Sequence, residues 1–122
     1  MKLVDEDLTE KVIGACFEVS NELGRGFLES VYEKALLILL QQKGLKAQKQ
    51  VPLRVNFRDH DVGEFYADII VEDRLLLELK VAKNLGLDHE AQLINYLKAS
   101  GIKVGLLINV GQQKVEWKRL IY

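Results

Sequence analysis

The chain has one cysteine, one proline and one tryptophan, and aromatic residues make up only 7% of its 122 positions. A lone cysteine, Cys16, forms no internal disulfide and supplies no multi-cysteine zinc site, so a reducing, cytoplasmic setting is expected. Pro52 is the only proline, and no stretch rich in glycine, serine or proline marks a linker, so a single domain over residues 1–122 is expected. The longest apolar run covers residues 35–40, far short of the roughly 20 residues that span a bilayer, and no membrane partner is expected. The first residues, Met1-Lys2-Leu3-Val4-Asp5, lack the apolar stretch of a secretory signal. No charge of one sign dominates: 17 basic and 18 acidic residues leave a net charge of −1. Nucleic-acid binders carry a basic excess more often, although a local basic rim or a bound divalent cation can replace it.

What is present is ordinary globular composition, 48% hydrophobic and 29% charged. Leu8, Val12, Ala15, Val19 and Leu23 recur at three- and four-residue spacing, which predicts a helix over residues 8–23 with Asp7 as cap and Glu10 completing a capping box. Gly24-Arg25-Gly26 breaks the chain. A second helix is predicted over residues 27–43, ended by Gly44. Its apolarity on most sides predicts a helix sandwiched between other elements.

The period then changes to two. Val51, Leu53, Val55 and Phe57 alternate with polar neighbours in a strand that Pro52 places at an edge. A turn at residues 58–61 leads to strands at residues 64–71 and 75–80, joined by a tight hairpin over Glu72-Asp73-Arg74. A helix over residues 88–99 follows, with Asp88 as N-cap and Gly101 as stop. Strands at residues 104–109 and 115–120, linked through Gly111-Gln112-Gln113, complete the order ααβββαββ. The expected fold class is α/β (α+β), a central mixed sheet with helices packed on it.

The strand at residues 75–80 carries the chemistry. Leu75, Leu77 and Leu79 point to one face, while Leu76, Glu78 and Lys80 point to the other. On the preceding strand Phe65, Ala67, Ile69 and Val71 share a face, and Tyr66, Asp68 and Ile70 share the opposite one. A hairpin folded about Asp73 sets Asp68 across from Glu78, with Cβ atoms about 4.5–5.5 Å apart. A two-residue loop would put them on opposite faces, so an odd-length loop or a bulge is expected. Two carboxylates that close are tolerable in water-poor surroundings with a cation between them. Mg²⁺ or Mn²⁺ accepts such a donor pair with waters, and Lys80 beside it orients or helps deprotonate a water. Asp68, Glu78 and Lys80 are therefore a candidate set for metal-assisted phosphodiester hydrolysis. The bland alternative is a charged strand face, since Glu-x-Lys recurs at Glu116-Trp117-Lys118.

Two companions add weight. Glu29 stands in the apolar second helix with Tyr32 at i+3, either as a desolvated carboxylate in want of a partner or as a rim residue that reaches water or Ser30. Gln92 and Tyr96, four apart, share a face of the later helix, either at the site or as ordinary amphipathic packing.

Several motifs in order resemble the GxxExxY protein family, placed in the PD-(D/E)XK nuclease superfamily. They are Gly26-Phe27-Leu28-Glu29-Ser30-Val31-Tyr32, Gln50-Val51-Pro52-Leu53, Tyr66-Ala67-Asp68-Ile69-Ile70-Val71, Leu77-Glu78-Leu79-Lys80, His89-Glu90-Ala91-Gln92-Leu93 with Asn95-Tyr96, and residues 103–109. The resemblance covers about residues 8–121. It implies a restriction-endonuclease-like core with Asp68 and Glu78 as metal ligands and Lys80 as catalytic residue. Gln92 and Tyr96 match the glutamine-x-x-x-tyrosine motif of RecB-like nucleases, which supports the site and the nucleic acid. Glu29 resembles the acidic residue brought toward the metal from the first helices. The carbonyl of Leu79 is a further candidate ligand, and Tyr32 and Lys83 are candidates for support of the site or the nucleic acid. Ser20 stands where the family often has histidine, and Arg25 where proline is common.

Three readings follow. One is a divalent-metal-dependent nuclease acting on DNA or RNA. The second is a nucleic-acid-associated or partner-binding module that keeps the fold without turnover, with Lys80 and Lys83 near the strand end and Lys98, Lys103, Lys114, Lys118 and Arg119 as a second basic strip or as scattered solubility charge. The third is a homo-oligomer such as a homodimer, joined through a sheet edge or through Trp117 and Tyr122, compatible with the first.

Overall fold

The structure is a computed structural model and describes residues 5–111 and 114–122. The elements are α1 (Glu6–Leu23), α2 (Glu29–Gln42), β1 (Ala47–Phe57), β2 (His60–Val71), β3 (Leu75–Lys80), α3 (Leu87–Ser100), β4 (Val104–Asn109) and β5 (Glu116–Ile121). They occur in the expected order. The sheet runs β1-β2-β3-β4-β5. β3 and β4 are parallel across the α3 crossover, and every other neighbouring pair is antiparallel. This is a restriction-endonuclease-like α/β core with a mixed sheet.

Helices cover both faces of the sheet. α1 and α2 bury Val12, Ala15, Leu36 and Leu40 against Leu75, Leu77, Leu79, Leu106 and Ile108. α3 buries Leu93 and Leu97 against Leu53, Ala67, Leu76 and Leu107 on the other face. The alternation read along β3 is therefore realised, with the odd leucines toward α1 and α2 and Leu76 toward α3. Two covered faces also explain why β3 and β4 read as near-continuous apolar runs. Among the described residues no helix is long and apolar enough to cross a membrane.

Local expectations fail where tertiary packing decides. α1 starts at Glu6 with Asp5 in a left-handed conformation and no side-chain cap, so Asp7 sits in the first turn, where its charge meets the helix dipole. α3 starts one residue early with Gly86 as N-cap, and Gly86 N–H donates to His89 Nδ1 (3.1 Å). α2 is not sandwiched, because Ile38 is 55% exposed. Pro52 does lie on an edge strand, and Gly101 does end α3 at φ 75°. Part of the expected Gly111-Gln112-Gln113 turn lies outside the described residues.

The face assignment along β2 needs correction. Ile69 and Val71 pack in the α1/α2 layer, whereas Ala67 packs in the α3 layer. The change occurs at the step where Gln50 of β1 stands opposite Asp68, between the Lys49↔Ile69 and Val51↔Ala67 pairs. Gln50 has φ 50° there. A left-handed residue inside a strand interrupts the regular alternation, so the β1–β2 hairpin kinks without losing register. Past the kink β2 has left β3, whose pairing ends at Ile69↔Leu77. The hairpin continues as a two-stranded ribbon that brings Phe65 against Tyr96 of α3, ring centroids 5.8 Å apart.

Candidate active site

The β2–β3 loop is Glu72-Asp73-Arg74, three residues closed by the Val71↔Leu75 pair. An odd loop was required to bring the acids to one face, and the same register carried one pair beyond Ile69↔Leu77 sets Asp68 against Glu78. The strands separate at that point, and side chains fill the gap. Asp68 N–H donates to Glu78 Oε2 (2.8 Å), and Leu79 N–H donates to Asp68 Oδ2 (2.7 Å). Each carboxylate is thus latched to the backbone beside the other.

Glu78 is buried, 3% exposed. Burial, and then the charge of Asp68, push its carboxyl up to about 8. Burial likewise pushes Asp68 up to about 6, and Glu33 adds to the effect. Negative charge has been gathered here beyond what Lys80 compensates. A pair of oxygen donors with that excess fits a hard divalent cation. The backbone carbonyl of Leu79, between Glu78 and Lys80 in sequence, is a third oxygen within the same segment. Among the described residues no group of three histidine, cysteine, aspartate or glutamate side chains is drawn together as a metal site, so the side-chain donors here are the two carboxylates.

Lys80 follows on the same face. Its Nζ donates to Gln92 Oε1 (2.7 Å), which fixes the ammonium between β3 and α3. Tyr96, one turn on, has its hydroxyl pKa raised by burial and then by the charges of Glu78 and Asp68. Asp68, Glu78, Lys80, Gln92 and Tyr96 therefore share one neighbourhood.

The first-helix residues are placed differently. Glu29 is exposed in the first turn of α2, and its Oε1 accepts from Val81 N–H (3.1 Å), immediately after β3. It braces the end of the strand that carries Lys80. Tyr32 is fully buried, its hydroxyl donating to Gly24 O (2.6 Å). Direct contact of Tyr32 with nucleic acid is therefore excluded: the helical period that places it with Leu36 turns it into the core. The Gly26-x-x-Glu29-x-x-Tyr32 spacing has a mechanical sense. Gly26 takes φ 106°, Tyr32 anchors the turn from beneath, and Glu29 ties its far side to β3. Lys83 is exposed on the loop after β3.

Three residues escaped the sequence reading. Glu33 is buried, and both its oxygens accept from Gln50 Nε2 (3.0 and 3.1 Å). Its only signal was an i+4 spacing from Glu29 on an apolar helix. Gln50 opens one of the motifs of the resemblance, but its role depends on the kink and was not read from it. Asn109, fully buried, clamps the loop after Lys80: its Nδ2 donates to Ala82 O (2.8 Å), and its Oδ1 accepts from Ala82 N–H (3.2 Å) and Gly111 N–H (3.0 Å).

A cleft of about 850 Å³ adjoins this site, between the β1–β2 ribbon and α3. Gln92 and Tyr96 line it, whereas Asp68 and Glu78 do not.

A family model for the PD-(D/E)XK nuclease superfamily matches residues 6–120. The chain also resembles the crystal structure of SSO0001 with a TM-score of 0.62 and 15% identity, covering 93% of this chain and 76% of that one. That likeness concerns the fold. No curated protein sequence matches the chain.

Proposed function

The chain belongs to the PD-(D/E)XK nuclease superfamily, and from that premise we propose that it hydrolyses phosphodiester bonds in nucleic acid with Asp68, Glu78 and Lys80. The observation that carries the reading is the latched pair of carboxylates on diverging strands, with Lys80 held beside it by Gln92. The motif from Gly26 to Tyr32 supports the narrower assignment to the GxxExxY family. We treat residues 1–122 as one nuclease-like domain working in the cytoplasm, where Cys16 stays reduced.

Asp68, Glu78 and the Leu79 carbonyl would hold Mg²⁺ or Mn²⁺, with Glu29 contributing through water. Such an ion supplies Lewis acidity at a phosphoryl oxygen and lowers the pKa of a nearby water. Lys80 has three N–H donors, one of which Gln92 occupies. The others reach toward a non-bridging phosphate oxygen, where they stabilise the charge that develops as water attacks. Gln92 keeps that ammonium from swinging toward the acids. Lys83, exposed on the loop after β3, is the candidate for contact with a flanking phosphate.

The test is cleavage of labelled single- and double-stranded DNA and RNA with Mg²⁺ or Mn²⁺, comparing wild type with Asp68→Asn and Lys80→Ala, folding checked by circular dichroism. Metal-dependent cutting lost in both variants is the expected result. A folded wild type that cuts none of the substrates overturns the catalytic reading in favour of a non-catalytic module.

A further inference from the structure

The cleft between the ribbon and α3 is built unlike a duplex-binding surface. Its floor is aromatic, with Phe65 and Tyr96 in tilted contact. Its walls carry the amides of Asn56 and Asn95, neither of which makes a side-chain hydrogen bond among the described residues. Its charge is close to balanced. Arg54 is engaged by Asp61 (2.6 Å) and Glu64 (3.3 Å), the Lys98 ammonium lies 5.4 Å from the Tyr122 ring, and Asp88 adds a negative charge at the start of α3. Phosphates, in single or double strands, are met by rows of cations, so a cleft of nearly balanced charge suits a base rather than the backbone. Stacking faces beside unengaged amides suit the π-face and polar edge of a base that has left its stack. At about 850 Å³ the space is in the range of ligand clefts, roughly 300–1,000 Å³.

The cleft also adjoins the reacting centre. Gln92 lines it while accepting from Lys80 Nζ. A phosphate held by Lys80 therefore has its neighbouring nucleotide at the mouth of the cleft. Resting on the nuclease reading above, we propose that the cleft seats an unpaired base of a single-stranded nucleic acid next to the scissile phosphate, so that single strands are the preferred substrate. Phe65 and Tyr96 stack the base, and Asn56 and Asn95 bond its edge. The kink at Gln50 is what carries Phe65 into position.

Binding tests this apart from cutting. Anisotropy of labelled single strands, the matching blunt duplex and a labelled mononucleotide is measured on the full chain in EDTA. Single strands are expected to bind more tightly than the duplex. Phe65→Leu keeps an apolar side chain on the ribbon but removes the π-face, and should weaken single-strand binding by roughly 5- to 150-fold, the range of one lost base–aromatic stack. Asn95→Ala should weaken it further, and Trp117→Ala, on β5, should leave it unchanged. Thermal melts confirm folding. Duplex binding as tight as single-strand binding, or a folded Phe65→Leu with wild-type affinity, overturns the proposal. A mononucleotide that binds as tightly as the strand overturns the assignment to a strand. A chain that never cuts but shows the expected binding pattern sinks only the catalytic reading.

Discussion

Glu78→Gln should make the protein more stable at neutral and alkaline pH while leaving its stability near pH 4 unchanged. An unfolded chain releases these two carboxyl protons near the ordinary values of 3.8 and 4.5, whereas the folded chain keeps them to about 6 at Asp68 and about 8 at Glu78. Between those limits the unfolded state binds fewer protons. Wild-type stability therefore falls as pH rises through the window from about 4 to about 8, and levels off above it. For Glu78 the displacement from 4.5 to about 8 is worth roughly 5 kcal/mol at 1.36 kcal/mol per unit. That is a ceiling, because water entry and side-chain rotation relieve part of the strain. A gain of about 2–3 kcal/mol at pH 8 is expected, or roughly 6–15 °C in Tm for a chain of this length. The amide keeps one side-chain oxygen as acceptor for Asp68 N–H, so the latch survives. Thermal and urea melts of wild type and variant in EDTA, at about pH 4, 6 and 8, read the effect. Equal stability at pH 8, or a gain of the same size at pH 4, would refute the argument that buried charge, rather than packing, is at stake.

Other outcomes follow from the same geometry. Millimolar Mn²⁺ should raise the Tm of wild type at pH 8, with a gain in stability of about 2.7 kcal/mol where the ion is at 100 times its Kd. EDTA should reverse the rise, and Glu78→Gln should largely abolish it. In cleavage assays Lys80→Ala should lower kcat by roughly 100-fold or more with little change in KM. Gln92→Ala, which only frees the ammonium, should cost about 10-fold, and the KM-against-kcat split separates the two. Asn109→Ala strips partners from Ala82 N–H, Ala82 O and Gly111 N–H, and should destabilise the fold by about 3 kcal/mol in urea melts. Gly111→Ala would bring a Cβ to 2.9 Å from Ala82 N, so the loop after Lys80 must shift. Cleavage should fall more than stability, read by kcat beside Tm.

Much of the fold was legible because it depends on local periodicity. The switch from helical spacing to alternation located every element within a few residues, and β4 matches its expected span of residues 104–109 throughout. The side-chain parity of β3 and the odd length of the loop over residues 72–74 are enough to bring Asp68 and Glu78 together from the sequence alone. Capping was less legible. Asp7 and Asp88 both satisfy the rule for an N-cap, yet Asp5 and Gly86 hold those positions.

What the chain alone determined, then, is the order of its elements and which polar residues share a strand face, since both follow from backbone geometry over a few neighbours. The tertiary structure decided the rest. It turned Tyr32 from a candidate contact into a core anchor, drew Glu33 and Gln50 into the acidic neighbourhood, made Asn109 the clamp on the loop behind Lys80, and moved Phe65 across to α3. The Glu33–Gln50 and Asn109–Ala82 contacts join residues 17 and 27 positions apart, and the place of Phe65 follows a kink at one step of a strand pair. No local pattern encodes such a meeting. It arises when burial of both sheet faces forces distant segments into contact and leaves each buried polar atom to find a partner.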